Sequence, residues 1–478
     1  MITIRKLTNT RIQIDTTDYT YLRQLKDYFT DHVDGYFFMP KFQSGLWNGK
    51  ISLFSPTTRS LPYGLLGDWM IFHKKNFRDV PYTLEDDVKK LFKGCNIPPV
   101  YDLTLFPYDY QQDCITMALK YARGILRVAT AAGKSLIISY IIKTLIENDV
   151  TKSHLIIVPT IGLVEQFYGD MSEYGIDSNI IGRVYEKYKE FDKKIVISTW
   201  QTLSKNHDKL KRYECVIVDE CHGAKAHEIA TILKKCETAT YRLGLTGTLP
   251  SSKLDLWNVK AYLGPILKEY SSGELAERGY ISKCNIKVIN IEYSTDYDGA
   301  YDEVKDMVFT NDFRLSVVYK LVHDSDHNIL LLVGKVEKEG EFLKRYLEGC
   351  EKEVIFLSGR NKVEDREYWR KECMNRDNIA LIATYGIFQL GINIPNLKYI
   401  VLAAPFKSKI RVLQSIGRSL RIFANKADGA VIYDIADDVK YLDDHSIKRL
   451  RHYDLEKFGV EESTIKEGSL IQETFFFA

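Results

Sequence analysis

The chain has 478 residues, 45% of them hydrophobic and 27% charged, which is room for about three globular domains of ~150 residues each. A net charge of +2 gives no global field, so any nucleic-acid binding must come from local patches and backbone amides. The eight cysteines form no CxxC pair, no apolar run approaches the ~18–20 residues of a membrane span, and residues 1–6 lack a signal-peptide core, so a reduced, cytoplasmic chain without zinc, disulfides or a membrane is expected.

In chain order, residues 3–6 and 11–15 read as short strands. Thr17 or Asp18 caps a helix running to about Tyr28, with Tyr21, Leu22, Leu25, Tyr28 and Phe29 at helical spacing. Asn48-Gly49 predicts a hairpin turn with 51–54 as the returning strand. Leu61-Pro62-Tyr63-Gly64 opens a loop, and 74–99 reads as a connecting region. Residues 1–100 form a small, mildly basic α+β module. Aromatic residues beside Lys41, Lys50 and Arg59 would suit stacking on bases. A module this small also needs bulky core residues, and on that ground Phe37, Phe42 and Trp47 are expected inside.

Residues 101–283 carry a phosphate-binding arrangement. The run 124–128 reads as a strand and 136–146 as a helix, joined by Ala129-Thr130-Ala131-Ala132-Gly133-Lys134-Ser135. Backbone N–H groups at a helix start attract anions, and small residues let phosphate approach them. Lys134 would reach the terminal phosphates of ATP, and the Ser135 hydroxyl would hold Mg²⁺. Val128 stands where the general pattern has Gly, and on these residues alone an ordinary helix start serves equally well. Upstream, Gln111 can read an adenine edge. Apolar runs at 155–158, 195–199, 215–218 and 243–246 predict a parallel sheet buried on both faces, with ligands at its carboxyl edge. That edge gathers Lys134, Asp219, Glu220 and Thr246-Gly247-Thr248. Asp219 would help hold Mg²⁺ and Glu220 would orient or deprotonate the attacking water. A carboxylate pair that merely caps a helix is the alternative.

A second series starts near Cys284, with strands at 329–333, 354–357, 379–383 and 399–402, and makes a second α/β domain over 284–440 without another Gly-Lys-Ser. Gln414-Ser415-Ile416-Gly417-Arg418-Ser419-Leu420-Arg421 puts Arg418 and Arg421 on one helix face. Guanidinium groups there suit phosphate and transition-state charge, although a salt-bridged surface is the default for Arg418. Residues 430–434 read as a last strand, and 441–478 as a charged helical tail.

In this order the stretches resemble the superfamily 2 helicases. Gln111 matches the adenine-reading motif, the loop from Ala129 to Ser135 motif I, Ile157-Val158-Pro159-Thr160 Ia and Ser198-Thr199-Trp200-Gln201 Ib. Asp219-Glu220-Cys221-His222 is a DExH box, and Thr246-Gly247-Thr248 resembles motif III. Gly334-Lys335 falls in motif IV, the stretch from Thr384 in V, and Gln414 to Arg421 in VI. Residues 35–67, Ser198-Thr199-Trp200-Gln201-Thr202 and Thr384-Tyr385-Gly386 narrow the resemblance to UvsW-type phage recombination and repair helicases. It implies two tandem RecA-like parallel-sheet domains behind a small N-terminal α+β DNA-binding domain, and an ATP- and Mg²⁺-dependent motor. Its substrates would be branched, single-stranded and duplex DNA and RNA–DNA hybrids, with branch migration, fork regression and R-loop unwinding as its work. The catalytic set is Lys134, Asp219, Glu220, Gln414, Arg418 and Arg421. Strand contacts are expected from Pro159, Thr160, Thr199 and Gln201 in the first domain and Gly334, Lys335, Ser358, Gly359 and Thr384 in the second. A monomer is expected, with recombination or single-strand-binding proteins as partners. Asn393 stands where many relatives have Asp. Rival readings are a DExH RNA helicase, an ATP-gated annealing factor and a restriction-system motor subunit.

Overall fold

Short strands and one well-capped helix begin the chain. The computed structural model describes residues 1–222, 226–250, 252–295, 297–386, 397–404 and 429–470. Strands β1 (Ile2–Lys6), β2 (Arg11–Asp15), β3 (Thr30–His32), β4 (Lys50–Ser52), β5 (Ser60–Pro62) and β6 (Tyr82–Leu84) belong to the N-terminal module. Four of them form a sheet ordered β5-β2-β1-β6, antiparallel between β1 and β2 and parallel between β1 and β6. The helix Tyr19–Tyr28 starts at Asp18, whose carboxylate accepts from the Tyr21 amide at 3.0 Å.

Several expectations for this module need correction. Residues 60–62 are strand β5 rather than loop, and the presumed connector contains β6. Asn48-Gly49 is not a two-residue hairpin turn. The strand β4 that follows it pairs with β3, and residues 33–49 return through two short helical turns, Tyr36–Phe38 and Pro40–Gln43. Phe37, Phe42 and Trp47 are not core. Phe37 is 51% exposed, Phe38 74% and Leu46 83%, while Phe42 and Trp47 are half-buried. The core is built instead from Tyr21, Phe29, Tyr63, Trp69 and Phe72, completed by Trp257 and Ala261 of the helix Lys253–Leu263. The module borrows its missing hydrophobic surface from the next domain, so its own aromatic loop is not needed inside. The approach is close: a Cβ built at Gly64 would lie 1.8 Å from the Lys260 carbonyl oxygen. Tyr63 donates to the Tyr262 carbonyl at 2.5 Å, and Asp68 pairs with Lys260 at 3.2 Å.

The second sheet contains β7 (Arg123–Val128), β8 (His154–Val158), β9 (Ile181–Val184), β10 (Ile195–Thr199), β11 (Cys215–Asp219), β12 (Tyr241–Thr246) and β13 (Ile266–Tyr270), ordered β13-β7-β12-β11-β8-β10-β9. The central strands β8, β10, β11 and β12 are buried at every residue, as the continuous apolar runs predicted. The edge strands β9 and β13 were not anticipated. Arg242, fully buried on β12, donates to the carbonyls of Leu233, Cys236 and Ala239 and so satisfies the end of the helix Ala226–Lys235.

The third sheet contains β14 (Cys284–Glu292), β15 (Ile329–Val333), β16 (Glu353–Leu357), β17 (Ile379–Thr384), β18 (Tyr399–Leu402), β19 (Ala430–Asp437) and β20 (Gly459–Lys466), ordered β16-β17-β15-β18-β19-β14-β20. Its pairings run parallel. The expected helical tail is a correction. The helix Leu442–Leu455 is present, but β20 follows it and pairs with β14 from Asn285 opposite Gly459 to Glu292 opposite Lys466. β20 is largely exposed and carries Glu461, Glu462 and Lys466, charges of the kind that protect an edge from further pairing. Two buried ion pairs, Arg314–Asp437 and Arg449–Asp434, both at 2.8 Å, tie the flanking helices to β19. The chain divides into two compact units, Met1–Val128 with Gly133–Glu269 and Ala129–Ala132 with Tyr270–Ala478. The architecture is therefore two seven-stranded, RecA-like α/β sheets and a small N-terminal α+β module. Among the described residues no helix is long and apolar enough to cross a membrane.

Candidate active site

β7 ends at Val128, and the helix Lys134–Glu147 begins after Gly133. Ala131 and Gly133 both take the left-handed conformation, with φ of 68° and 70°. A Cβ on Gly133 would stand 2.6 Å from the Gln111 amide nitrogen, so the loop and Gln111 lie side by side. Gln111 is buried, and its Oε1 accepts from the Tyr108 amide at 2.8 Å, which closes the start of the helix Asp109–Tyr121.

Lys134 Nζ lies 3.0 Å from Glu220 Oε1. Asp219 is the last residue of β11, and Glu220 follows at φ 48°, a left-handed conformation that costs a non-glycine residue about 1–2 kcal/mol. Burial would raise the Glu220 carboxyl, but Lys134 and His222 outweigh it and hold Glu220 below the usual range. Burial, reinforced by the Glu220 charge, pushes Asp219 up against the opposing pull of Lys134. Burial alone would lower Lys134, yet Glu220 and Asp219 more than reverse this. One cation thus faces two carboxylates with separated proton affinities, an arrangement common at functional sites. Asp219 Oδ1 is buried without a hydrogen-bond partner among the described residues, an oxygen suited to a cation. Ser135 Oγ is within 3.1 Å of the Tyr174 hydroxyl.

His222 connects this carboxylate pair to the neighbouring strand. Its Nδ1 is 3.4 Å from Glu220 Oε2 and is hydrogen-bonded to the Thr246 hydroxyl at the end of β12. Thr246 Oγ1 in turn donates to the Thr248 carbonyl at 2.6 Å. The DExH box and the Thr-Gly-Thr segment are one network. Tyr174, at the end of the helix Ile161–Glu173, was missed, because nothing in its local sequence points toward Ser135.

Among the expected strand contacts, Thr160 and Thr199 each cap a helix, accepting from the amides of Leu163 and Thr202. Gln201 is exposed and reaches the Pro159 carbonyl at 3.5 Å. These four residues share the carboxyl ends of the paired strands β8 and β10. In the second α/β domain Gly334 and Lys335 follow the end of β15. Both amides donate to Glu339 Oε2, at 2.6 and 3.0 Å, and Lys335 Nζ is held by Asp306 at 2.8 Å. Glu339 is itself buried and paired with Lys305. Ser358 is buried beside Asn361, Gly359 is exposed and Thr384 is buried at the end of β17. Gln414, Arg418, Arg421 and Asn393 lie outside the described residues.

Three family models match the chain: "DNA helicase UvsW, N-terminal" over residues 2–85, "Type III restriction enzyme, res subunit" over 104–251 and "Helicase conserved C-terminal domain" over 314–423. The ATP-dependent DNA helicase UvsW of Enterobacteria phage T4 is 28% identical over 95% of this chain and 97% of its own length. The DNA 3'-5' translocase XPB2 of Sulfurisphaera tokodaii is 25% identical over 72% of this chain and 86% of its own. The crystal structure of T4 UvsW superposes with a TM-score of 0.51 at 25% identity, covering 97% of this chain and 99% of that one. A fragment of an HsdR subunit from Vibrio vulnificus shares the fold, with a TM-score of 0.60 at 15% identity over 80% of this chain and 72% of that one. With three helicase-family segments in order and similarity running almost end to end, the chain belongs to the superfamily 2 helicases of the UvsW type.

Proposed function

We propose that this chain is an ATP-driven DNA motor that remodels branched DNA in phage recombination, replication and repair. The observation that carries the reading is the Lys134–Glu220 pair beside buried Asp219, on a loop and strand end of one parallel sheet. Gln111 lies against the phosphate loop and would take the adenine edge. Ser135 and Asp219 are the residues that would hold Mg²⁺, which neutralises phosphate charge when bound. Glu220, kept ionised by Lys134 and His222, would accept the proton of the attacking water. His222 and Thr246 would report the state of that carboxylate to the neighbouring strand end. Arg418 and Arg421, from the sequence pattern, would meet the γ-phosphate charge.

Glu220→Gln tests the hydrolytic role. It keeps the shape and loses the base, so nucleotide binding should persist while DNA-stimulated turnover falls by about 100-fold or more. Turnover near wild type with a four-way junction present would refute the assignment.

DNA is proposed as the polymer because the N-terminal module displays Phe37, Phe38 and Leu46 next to Lys41 and Lys50, a mixture suited to bases and phosphates together. RNA–DNA hybrids would be accepted by the same strand contacts at Pro159, Thr160, Thr199 and Gln201. The rival RNA-helicase reading is separated by measuring ATPase stimulation with junction DNA, single-stranded DNA, an RNA–DNA hybrid and RNA. Greatest stimulation by the junction is expected; stimulation by RNA alone would transfer the assignment. The site of action would be the cytoplasm of the host cell.

A further inference from the structure

A cavity of about 560 Å³ lies where the N-terminal module meets the helix Lys253–Leu263, and its wall includes Arg11, Phe54, Ser55, Thr58, Ser60 and Tyr262. Among the described residues no acidic one lines it. Arg11 Nε donates to Ser60 Oγ and Nη2 to the Ser60 carbonyl, both at 2.9 Å, which fixes the guanidinium. No carboxylate lies within ion-pair distance of Arg11 among the described residues, in contrast to Arg5 and Arg59, which both pair with Asp15. Its Nη1 makes no hydrogen bond among the described residues. The Ser55 hydroxyl accepts from the Thr58 amide and the Thr58 hydroxyl, so its own proton remains to be donated. Burial lowers the Arg11 pKa, against a smaller upward pull from Tyr262. Ser55 follows β4, the strand that leads out of the exposed aromatic segment.

We propose that this cavity is a phosphate site for the DNA backbone, in which Arg11 and Ser55 donate to one phosphodiester group and the Tyr262 wall takes its sugar. The inference rests on the reading of the module as DNA-binding. It places a fixed backbone contact at the root of the segment whose exposed aromatic side chains would meet bases.

The test titrates the full chain with a fluorescein-labelled four-way junction by anisotropy, across a series of NaCl concentrations. Each lost phosphate contact makes the slope of log K against log salt shallower by about 0.9. Arg11→Gln should show that change and a loss of affinity of about tenfold, whereas Arg11→Lys should keep the wild-type slope. Ser55→Asp leaves Arg11 and Ser60 in place but supplies a built-in anion, and should reproduce the Arg11→Gln loss even if the latter folds poorly. Wild-type slope and affinity in a folded Arg11→Gln or Ser55→Asp variant would overturn the proposal. If such variants bind normally while Phe38→Ala with Leu46→Ala does not, the module still binds DNA and only the phosphate site is lost. If all bind normally, both ideas fall. Binding of inorganic phosphate, followed by ³¹P line width, that Arg11→Gln abolishes without any change in junction binding would assign the cavity to free phosphate and also overturn the proposal.

Discussion

Gly133 shows how much one residue of the nucleotide loop is constrained. Its φ of 70° favours a residue without a side chain, and a Cβ would stand 2.6 Å from Gln111 Nε2. Gly133→Ala is expected to cost about 1–2 kcal/mol of backbone strain and to push Gln111 away, weakening ATP binding at least tenfold; a fluorescent ATP analogue measures this. Ala131 occupies the same left-handed region at φ 68° with a side chain present. The strain is tolerated there, whereas Val128 is the buried last residue of β7 and takes no positive φ, so its place needs no glycine. Lys134, Asp219 and Glu220 were legible in the sequence because their chemistry is carried by residue type and order. Glu339 was not, because a buried carboxylate satisfying the Gly334 and Lys335 amides looks locally like any other charge in a helical stretch.

Among elements, the helix Lys253–Leu263 has the widest reach. It supplies Trp257 and Ala261 to the core of the N-terminal module, while its Tyr262 carbonyl accepts from Tyr63. Arg123 on β7 donates to the Asn9 carbonyl and lies over the Tyr63 ring, fastening the module from the other side. Trp257→Ala should therefore cost about 3–5 kcal/mol, as large-to-small changes at buried aromatics do, and should melt the module and the first α/β sheet together in a thermal scan. Deleting residues 1–95 would expose the same surface, which is why point substitutions are the cleaner probe of DNA binding. Strand β20 teaches a related lesson. Its sequence, Gly-Val-Glu-Glu-Ser-Thr-Ile-Lys, has no apolar alternation, because an edge strand with an exposed face owes its conformation to the ladder with β14.

At the scale of the whole molecule, stability should depend on pH through a histidine far from the chemistry. His154 is buried at the start of β8; its Nδ1 donates to the Lys194 carbonyl, so its neutral Nε2 accepts from the Thr151 hydroxyl. Burial, only partly opposed by the Lys194 carbonyl, pushes its pKa down from 6.5 to about 4. The unfolded chain then binds the extra proton between those values, so stability is full above about pH 6.5 and falls as the pH drops toward 4, by about 3 kcal/mol at most. His154→Gln should remove that part of the loss, read by urea denaturation at pH 7 and pH 5.

Sequence by itself determined the order of motifs, the parallel character of both large sheets and the meeting of Lys134 with Asp219 and Glu220 at the ends of β7 and β11. These follow from continuous apolar runs and from residue types that phosphate chemistry requires. Tertiary structure alone decided that Phe37, Phe38 and Leu46 are exposed, that Trp257 completes a core more than 150 residues away from it in the chain, and that Arg11 lines a cavity with no acid among the described residues. The reason is physical. A local pattern records which side chains can be buried, but which of them are buried depends on the surface that a distant element brings to them.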